Sequence, residues 1–181
     1  MKVTVFLADG FELVEAMCPI DMLRRAGADV MTVGIGASFT VESANGVSVV
    51  ADMLLSDMPT ELPDLVLLPG GMPGAANLRA CPAVCQTVTD TAANGGYVAA
   101  ICAAPFVLGE LGLLNGKEAI CYPGFEDKLL GATVSDKKVV RDGKIITAAG
   151  MGVALPFAAA LIDALYGKEK ADEVLASVIA E

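Results

Sequence analysis

Short apolar runs alternate along the chain with stretches whose apolar residues recur at helical spacing. Residues 2–8 (Lys-Val-Thr-Val-Phe-Leu-Ala) read as a first strand and Asp9-Gly10-Phe11 as its loop. From Glu12 the period changes, and Leu13, Ala16, Met17, Ile20 and Leu23 form the apolar stripe of a helix. Arg24 and Arg25 fall in its last turn, where positive charge complements the helix dipole, and Ala26-Gly27 stops it. Pro19 lies inside and is expected to kink the helix or divide it. Residues 29–35 read as a second strand, and residues 41–51 as a hairpin around Asn45-Gly46. Residues 65–68 read as a third, fully buried strand ending in Pro69-Gly70-Gly71, and residues 81–93 as a helix with Pro82 in its first turn. Residues 96–102 form a run of small and β-branched residues, the mark of a strand buried on both faces. That run ends at Cys102, and an alanine-rich helical pattern follows over residues 103–114. Residues 118–122 read as a short strand and residues 139–147 as a hairpin around Asp142-Gly143. Two helices close the chain, residues 153–165 with Pro156 in the first turn and residues 168–180, with Gly167 between them.

Strands alternating with helices through short glycine-bearing loops predict an α/β fold with a mostly parallel, doubly wound sheet, helices on both faces and small hairpin additions. The 181 residues suit one domain, residues 1–181, with no repeat, linker or low-complexity tract. In such sheets ligands bind beyond the carboxyl ends of the strands. Three segments meet that description: residues 9–15, residues 69–77 and Cys102-Ala103. The expected site is where they converge.

Composition narrows the chemistry. Apolar residues make up 55% of the chain, which suits strands covered on both faces and an apolar subunit interface. The longest apolar run, residues 97–108, is too short for a bilayer, which needs roughly twenty residues. The apolar run 3–8 is followed at once by Asp9, Glu12 and Glu15, unlike a signal peptide, so the expected location is cytoplasmic. The net charge of −10, with twelve scattered basic residues, argues against nucleic acid or an anionic membrane surface as partner. Five cysteines without a Cys-x-x-Cys do not suggest a disulfide framework. Cys81 and Cys85 lie one helical turn apart, but two thiols without further ligands are more often structural, and no metal is expected. Histidine is absent, which excludes a Cys-His dyad, a Ser-His-Asp triad and any His-ligated metal within the chain.

What remains is a thiol and a carboxyl. A strand that turns directly into a helix lifts the residue at the turn to the top of the sheet, as in the nucleophile elbow of hydrolases. Cys102 holds that position, and the N-terminus of the following helix is expected to favour its thiolate. The bland alternative is a buried cysteine serving as a small hydrophobe. Glu15 lies early in a helix, where a carboxylate usually just complements the dipole, and that reading suffices for Glu12. The helical neighbours of Glu15, namely Phe11, Cys18 and Pro19, point to a less polar setting. Buried beside Cys102, Glu15 would have a raised pKa and would donate a hydrogen bond to the sulfur. Such a pair runs acid–base chemistry without histidine. Gly70 and Gly71 allow backbone N–H groups close to a substrate, and with the Ala103 N–H they would form an oxyanion hole; a plain tight turn is the alternative. Asn77 is a candidate for holding the loop by its side chain.

Together these segments resemble the ThiJ/PfpI superfamily, and more narrowly its Parkinson-disease-linked branch of protein deglycases, glyoxalases and oxidative-stress proteins. The resemblance rests on Asp9-Gly10-Phe11-Glu12-Leu13-Val14-Glu15, Asp21-Met22-Leu23-Arg24-Arg25-Ala26-Gly27, Leu68-Pro69-Gly70-Gly71 with Gly74-Ala75-Ala76-Asn77-Leu78, Ala99-Ala100-Ile101-Cys102-Ala103-Ala104-Pro105, Asp142-Gly143-Lys144-Ile145-Ile146-Thr147 and Ala164-Leu165-Tyr166-Gly167-Lys168-Glu169. It implies a flavodoxin-like three-layer sandwich and a homodimer. It also implies Cys102 as an oxidisable nucleophile, Glu15 as its acidic partner and proton shuttle, and Gly71 and Ala103 as the oxyanion hole. Gly70, Tyr122 and Asn77 are further candidates for lining the site. Tyr122 stands where relatives with hydrolase-like activity carry a histidine. The segment Ala148-Ala149-Gly150-Met151-Gly152 has alanine where some relatives carry an arginine, which weakens the case for an anionic substrate. The leading expectation is cofactor-free conversion of a 2-oxoaldehyde such as methylglyoxal to a hydroxy acid, or repair of glycated groups by the same parts. A redox sensor or chaperone working through oxidation of Cys102 is the second expectation. A cysteine peptidase comes third, because without histidine nothing obvious protonates an amine leaving group.

Overall fold

A computed structural model describes residues 1–180. Its strands are β1 (Lys2–Leu7), β2 (Asp29–Gly34), β3 (Thr40–Glu42), β4 (Ser48–Val50), β5 (Met53–Leu54), β6 (Leu65–Leu68), β7 (Tyr97–Ile101), β8 (Glu118–Ala119), β9 (Thr133–Val134), β10 (Val139–Asp142) and β11 (Ile145–Ala148). Its helices are α1 (Leu13–Arg25), α2 (Gly74–Ala80), α3 (Pro82–Ala93), α4 (Pro105–Glu110), α5 (Ala154–Tyr166) and α6 (Lys168–Ser177). No helix among the described residues is long and apolar enough to cross a membrane.

Seven strands form one sheet in the order β10-β11-β7-β6-β1-β2-β5, parallel except for the β10–β11 hairpin at one edge. Side chains alternate between its faces. Val3, Val5, Leu7, Leu65, Leu67, Ala99 and Ile101 pack towards α1, α5 and α6. Phe6, Val66, Leu68, Val98 and Ala100 pack on the opposite face, with Leu78, Val84, Val88 and Val107 of α2, α3 and α4. This is the mostly parallel α/β sheet covered on both faces that the alternation of elements predicts, and the flavodoxin-like three-layer sandwich that the resemblance implies. The chain runs outward from β1 to β2 and β5, then returns to the other side of β1 at β6. The topological switch point therefore lies between β1 and β6, at the loops 8–12 and 69–73.

Several elements differ from the sequence reading, each for a local reason. Pro19 does not divide α1, which runs unbroken from Leu13 to Arg25. Proline cannot donate to the carbonyl of Glu15, but Ala16, Ile20 and Leu23 are buried on either side and hold the helix to the sheet. The helix expected over residues 103–114 is only α4. Cys102 to Ala104 form a turn closed by the Ala104 N–H on the Ile101 carbonyl (3.1 Å), and Pro105 begins the helix because it has no N–H to offer. The strand expected over residues 118–122 is the two-residue β8, which pairs with β9 outside the main sheet. Helix α2 and strand β5 are additional. Both hairpins form where Asn45-Gly46 and Asp142-Gly143 predict them.

Candidate functional site

Cys102 caps β7 at the carboxyl edge of the sheet. Its φ of 63° is left-handed, a conformation that costs a non-glycine residue on the order of 1–3 kcal/mol. Main-chain bonds on both sides hold it there. Its N–H donates to the Ala148 carbonyl at the end of β11 (2.9 Å), and its own carbonyl accepts the Tyr122 N–H (2.8 Å). The strand-to-turn reading of this residue therefore matches its backbone.

Glu15 sits in the first turn of α1 and is 1% exposed. Its Oε2 accepts the Gly70 N–H at 3.0 Å. A methyl group built on Gly70 would collide with that Oε2, with the Cys102 Cβ (2.6 Å) and with the Ile101 carbonyl (2.8 Å). Glycine is thus what lets the three residues close on one another. Gly71, at φ 85°, lies against the main chain of the β1–α1 loop, within 2.6 Å of the Gly10 carbonyl for any added Cβ. The Glu12 N–H donates to the Gly70 carbonyl (2.9 Å), and the Gly74 N–H to the Gly10 carbonyl (3.2 Å). Asn77 completes this seam. Its Nδ2 donates to the Asp9 carbonyl (3.0 Å), so it braces the two loops, and it faces a separate shallow cavity beside Ile35 and Thr40. The side-chain hold on the loop is the one the sequence reading expects of Asn77.

Tyr122 is brought to the mouth by its N–H bond to the Cys102 carbonyl and is half exposed. Its ring edge and the Glu15 Oε1 both lie close to Gly150, 3.4 and 3.9 Å from the position of a Cβ there. Gly150 and Met151, whose N–H supports the Glu15 carboxylate, belong to a segment that the sequence reading met only through the resemblance and to which it gave no role at the site. The signal was available, because these residues follow β11 and the rule that ligands gather beyond strand ends applies to that strand too. Among the described residues no group of three or more acidic, cysteine or histidine side chains is placed to hold a metal. Cys85 Sγ donates instead to the Arg79 carbonyl (3.2 Å).

The electrostatics differ from the sequence expectation. Burial pushes the Glu15 carboxyl up to about 7, with the charge of Glu12 adding to it; the bond with Cys102 and the N–H groups of Gly70 and Met151 pull the other way. Burial likewise pushes the Cys102 thiol up to about 12, reinforced by the Glu15 charge and hydrogen bond, against the Gly71 and Ala103 N–H groups. The helix field expected to lower the thiol does not prevail. Helix α4 begins three residues after the sulfur and has six residues, so its dipole is small and offset. The two groups share one hydrogen bond and titrate as a pair. The pair sheds its first proton near 7 and holds the second to about 12.

The model of the DJ-1/PfpI family matches residues 1–164, a span that includes Glu15, Gly70, Gly71, Cys102, Ala103, Tyr122 and Gly150. The chain belongs to the DJ-1/PfpI family. Among DJ-1 proteins it is 43% identical over 175 residues to the Protein DJ-1 homolog B of Arabidopsis thaliana, covering 96% of this chain but 40% of that one. The chain thus spans less than half the length of that relative. It is 32% identical over 166 residues to the Glutathione-independent glyoxalase DJR-1.2 of Caenorhabditis elegans, covering 91% of this chain and 88% of that one. The solved structure of Toxoplasma gondii DJ-1 in an oxidised form superposes with a TM-score of 0.95 at 39% identity, covering 99% of this chain and 98% of that one.

Proposed function

We propose that this DJ-1/PfpI protein is a cofactor-free, cysteine-dependent enzyme that converts 2-oxoaldehydes into 2-hydroxy acids. The observation that carries the reading is the sealed Glu15 carboxyl against the half-buried Cys102 sulfur, with Gly70 closing the contact. The relative named as a glutathione-independent glyoxalase supports the reaction class.

Between pH 7 and 12 the pair holds a single proton. Two arrangements compete, carboxylate with thiol or carboxyl with thiolate. Burial and the Glu15 charge and hydrogen bond hold the thiol up to about 12, so carboxylate with thiol is the resting arrangement and carboxyl with thiolate the minor, reactive one. The sulfur has the Gly71 and Ala103 N–H groups as donors. In the reactive arrangement the thiolate adds to the aldehyde carbon, and the oxygen that gains the electron pair is met by those N–H groups and by the proton of Glu15. The Glu15 carboxylate then takes the proton from that carbon and returns it to the neighbouring ketone carbon, while the proton on the former aldehyde oxygen passes to the ketone oxygen, leaving a carbonyl on the first carbon and a hydroxyl on the second. The product is a thioester of the hydroxy acid. Water cleaves it, restoring the thiol and releasing the acid, so aldehyde plus water balances hydroxy acid with no oxidant or reductant.

Purified protein should form lactate from methylglyoxal without added thiol or metal, and Cys102→Ser and Glu15→Gln should each lose at least about a hundredfold in kcat/KM. Equal rates for wild type and Cys102→Ser reject the mechanism. A redox role is the second reading, favoured by the incomplete burial of Cys102 and by the relative solved in an oxidised form. It would show as selective peroxide oxidation of Cys102 to sulfinate in a protein that turns over no aldehyde.

A further inference from the structure

At the edge of the sheet opposite Cys102, a cavity of about 360 Å³ opens where β6, β7 and β11 begin and α3 and α5 end. Asp64, Thr91, Asn94, Tyr97 and Lys144 line it, and Leu62, Pro63 and Leu165 give it an apolar wall. It lies the length of β7 away from the thiol, and none of these residues belongs to the cysteine site.

Its charges are unmatched. Nine of the twelve basic side chains of the chain are paired with carboxylates. Among the described residues Lys144 has no such partner. Its Nζ rests 3.7 Å from the centroid of the Tyr97 ring, and the Arg141 guanidinium lies over the same ring at 5.4 Å. Arg141 donates to the Tyr97 hydroxyl (3.0 Å) and pairs with Asp163 (3.1 Å), so two cations share one carboxylate. Asp64 shows the converse. Its Oδ2 accepts the main-chain N–H of Lys2 (2.7 Å), while the Lys2 ammonium is held by Glu61. Among the described residues no lysine or arginine pairs with Asp64. A lysine and an aspartate thus line one cavity without reaching each other.

Two hydroxyls are left over at the same end of the molecule. Thr91 Oγ1 and Tyr166 Oη are the buried side-chain polar atoms that find no partner among the described residues. Thr91 is 0% exposed and lines the cavity from the last turn of α3, and Tyr166 closes α5 directly after Leu165. Buried hydroxyls are nearly always paired, and an open one beside a cavity marks a place for a bound polar group. Asn94 Nδ2 is spent on the Asp90 carbonyl (2.8 Å), which leaves its Oδ1 as an acceptor. The carbonyl ends of α3 and α5 add a field that favours positive charge.

We propose that this cavity binds a free α-amino acid with an apolar side chain, in its zwitterionic form. The carboxylate pairs with Lys144, the ammonium with Asp64 and the Asn94 Oδ1, and the side chain lies on Leu62, Pro63 and Leu165. The Thr91 hydroxyl supplies a further hydrogen bond to the polar end. A ligand with one charge leaves either the lysine or the aspartate unmatched, and an uncharged ligand leaves both.

The test is an amide-shift titration of the full chain by NMR with three probes. L-Phenylalanine carries both charges, L-phenylalaninamide keeps only the ammonium, and N-acetyl-L-phenylalanine keeps only the carboxylate. L-Phenylalanine should bind with a Kd of about 1 mM or tighter, with its largest shifts at Gly95, Tyr97 and Lys144, and each single-charge probe should bind at least about fivefold more weakly. Lys144→Gln should weaken L-phenylalanine by about fivefold and leave L-phenylalaninamide unchanged; Asp64→Asn should weaken it as much and leave N-acetyl-L-phenylalanine unchanged. Both side chains are exposed, so both variants should keep the wild-type circular dichroism spectrum. The wild-type comparison of the three probes decides the matter even where a variant misfolds. Equal affinity for all three, shifts confined to the surroundings of Cys102, or no shift with L-phenylalanine at about 10 mM overturns the proposal. An L-phenylalanine affinity that neither folded variant changes overturns it as well.

Discussion

Glu15 weakens the fold that holds it. Its carboxyl ionises near 4.5 in the unfolded chain and near 7 in the folded one, so the folded state keeps its proton longer. Below pH 4.5 both states are protonated and the group has no effect. Between 4.5 and 7 the unfolded chain ionises first and stability falls; above 7 the loss is constant at roughly 3 kcal/mol. Glu15→Gln keeps an oxygen for the Gly70 N–H and removes the charge. Its melting temperature should exceed that of wild type by several degrees at pH 8, and the gap should close below pH 4.5. A wild type as stable as the variant across that range would mean that Glu15 is not desolvated as its burial indicates. The same substitution reports on the sulfur. In wild type the thiol ionises only towards pH 12, so alkylation of Cys102 should stay slow through neutral pH and rise late. In the variant the charge and bond of Glu15 no longer push the thiol up, so the rise should move to lower pH. An alkylation profile unmoved by Glu15→Gln would show that Glu15 does not hold the thiol up.

At the level of elements, the site depends on how closely two loops and a turn approach. Gly70→Ala places a methyl group on Glu15, Cys102 and the Ile101 carbonyl, all held by the fold. It should destabilise the protein by about 1–3 kcal/mol and move the rise in Cys102 alkylation to lower pH, because the carboxyl and sulfur are pried apart. Gly152→Ala is the control. Nothing lies within 4 Å of its Cβ position, and stability should stay within about 0.5 kcal/mol. Equal melting temperatures for the two variants would show that the loops give way easily and that the contact is not enforced by packing. The turn itself was legible in the sequence, because a small, β-branched run ending at Cys102 and followed by alanines has few other ways to fold. Helix α2 was not legible. Gly74-Ala75-Ala76-Asn77-Leu78-Arg79-Ala80 carries little apolar periodicity, and its start is fixed by a distant contact. A Cβ on Gly74 would touch the main chain of Gly10 and Phe11. Helix α4 is shorter than its composition suggests because the bend at Cys102 and the missing N–H of Pro105 decide where it begins.

Across the whole molecule, the sandwich could be read because strands buried on both faces leave continuous apolar runs, and alternation with helices allows few topologies. The strand order that sets β7 between β6 and β11 has no local signal. Nor does the pairing of Glu15 with Cys102, which joins the first helix to the fifth strand of the main sheet and came from the strand-end rule together with family resemblance. The high apolar content leaves one matter outside the single chain. The β3–β4 hairpin stands apart from the main sheet, tied to the loop entering α1 by the Gly10 N–H on the Glu42 carbonyl (2.8 Å) and the Ala44 N–H on the Phe11 carbonyl (2.8 Å). Val47 and Val50 on this hairpin are exposed, Val50 by 74%, as is Val14 in the first turn of α1. Such side chains on a hairpin and the adjoining helix are what a second copy would cover, the homodimer that the resemblance implies. An interface of that kind buries on the order of 1,000 Å² or more and leaves little room for a charge at its centre. Sedimentation equilibrium at micromolar concentration should therefore give twice the 18.5 kDa mass of the chain. Val50→Asp should shift it to the monomer with an unchanged far-ultraviolet circular dichroism spectrum. A wild type that is monomeric at every concentration, or a Val50→Asp variant that remains a dimer, would remove this hairpin from the interface.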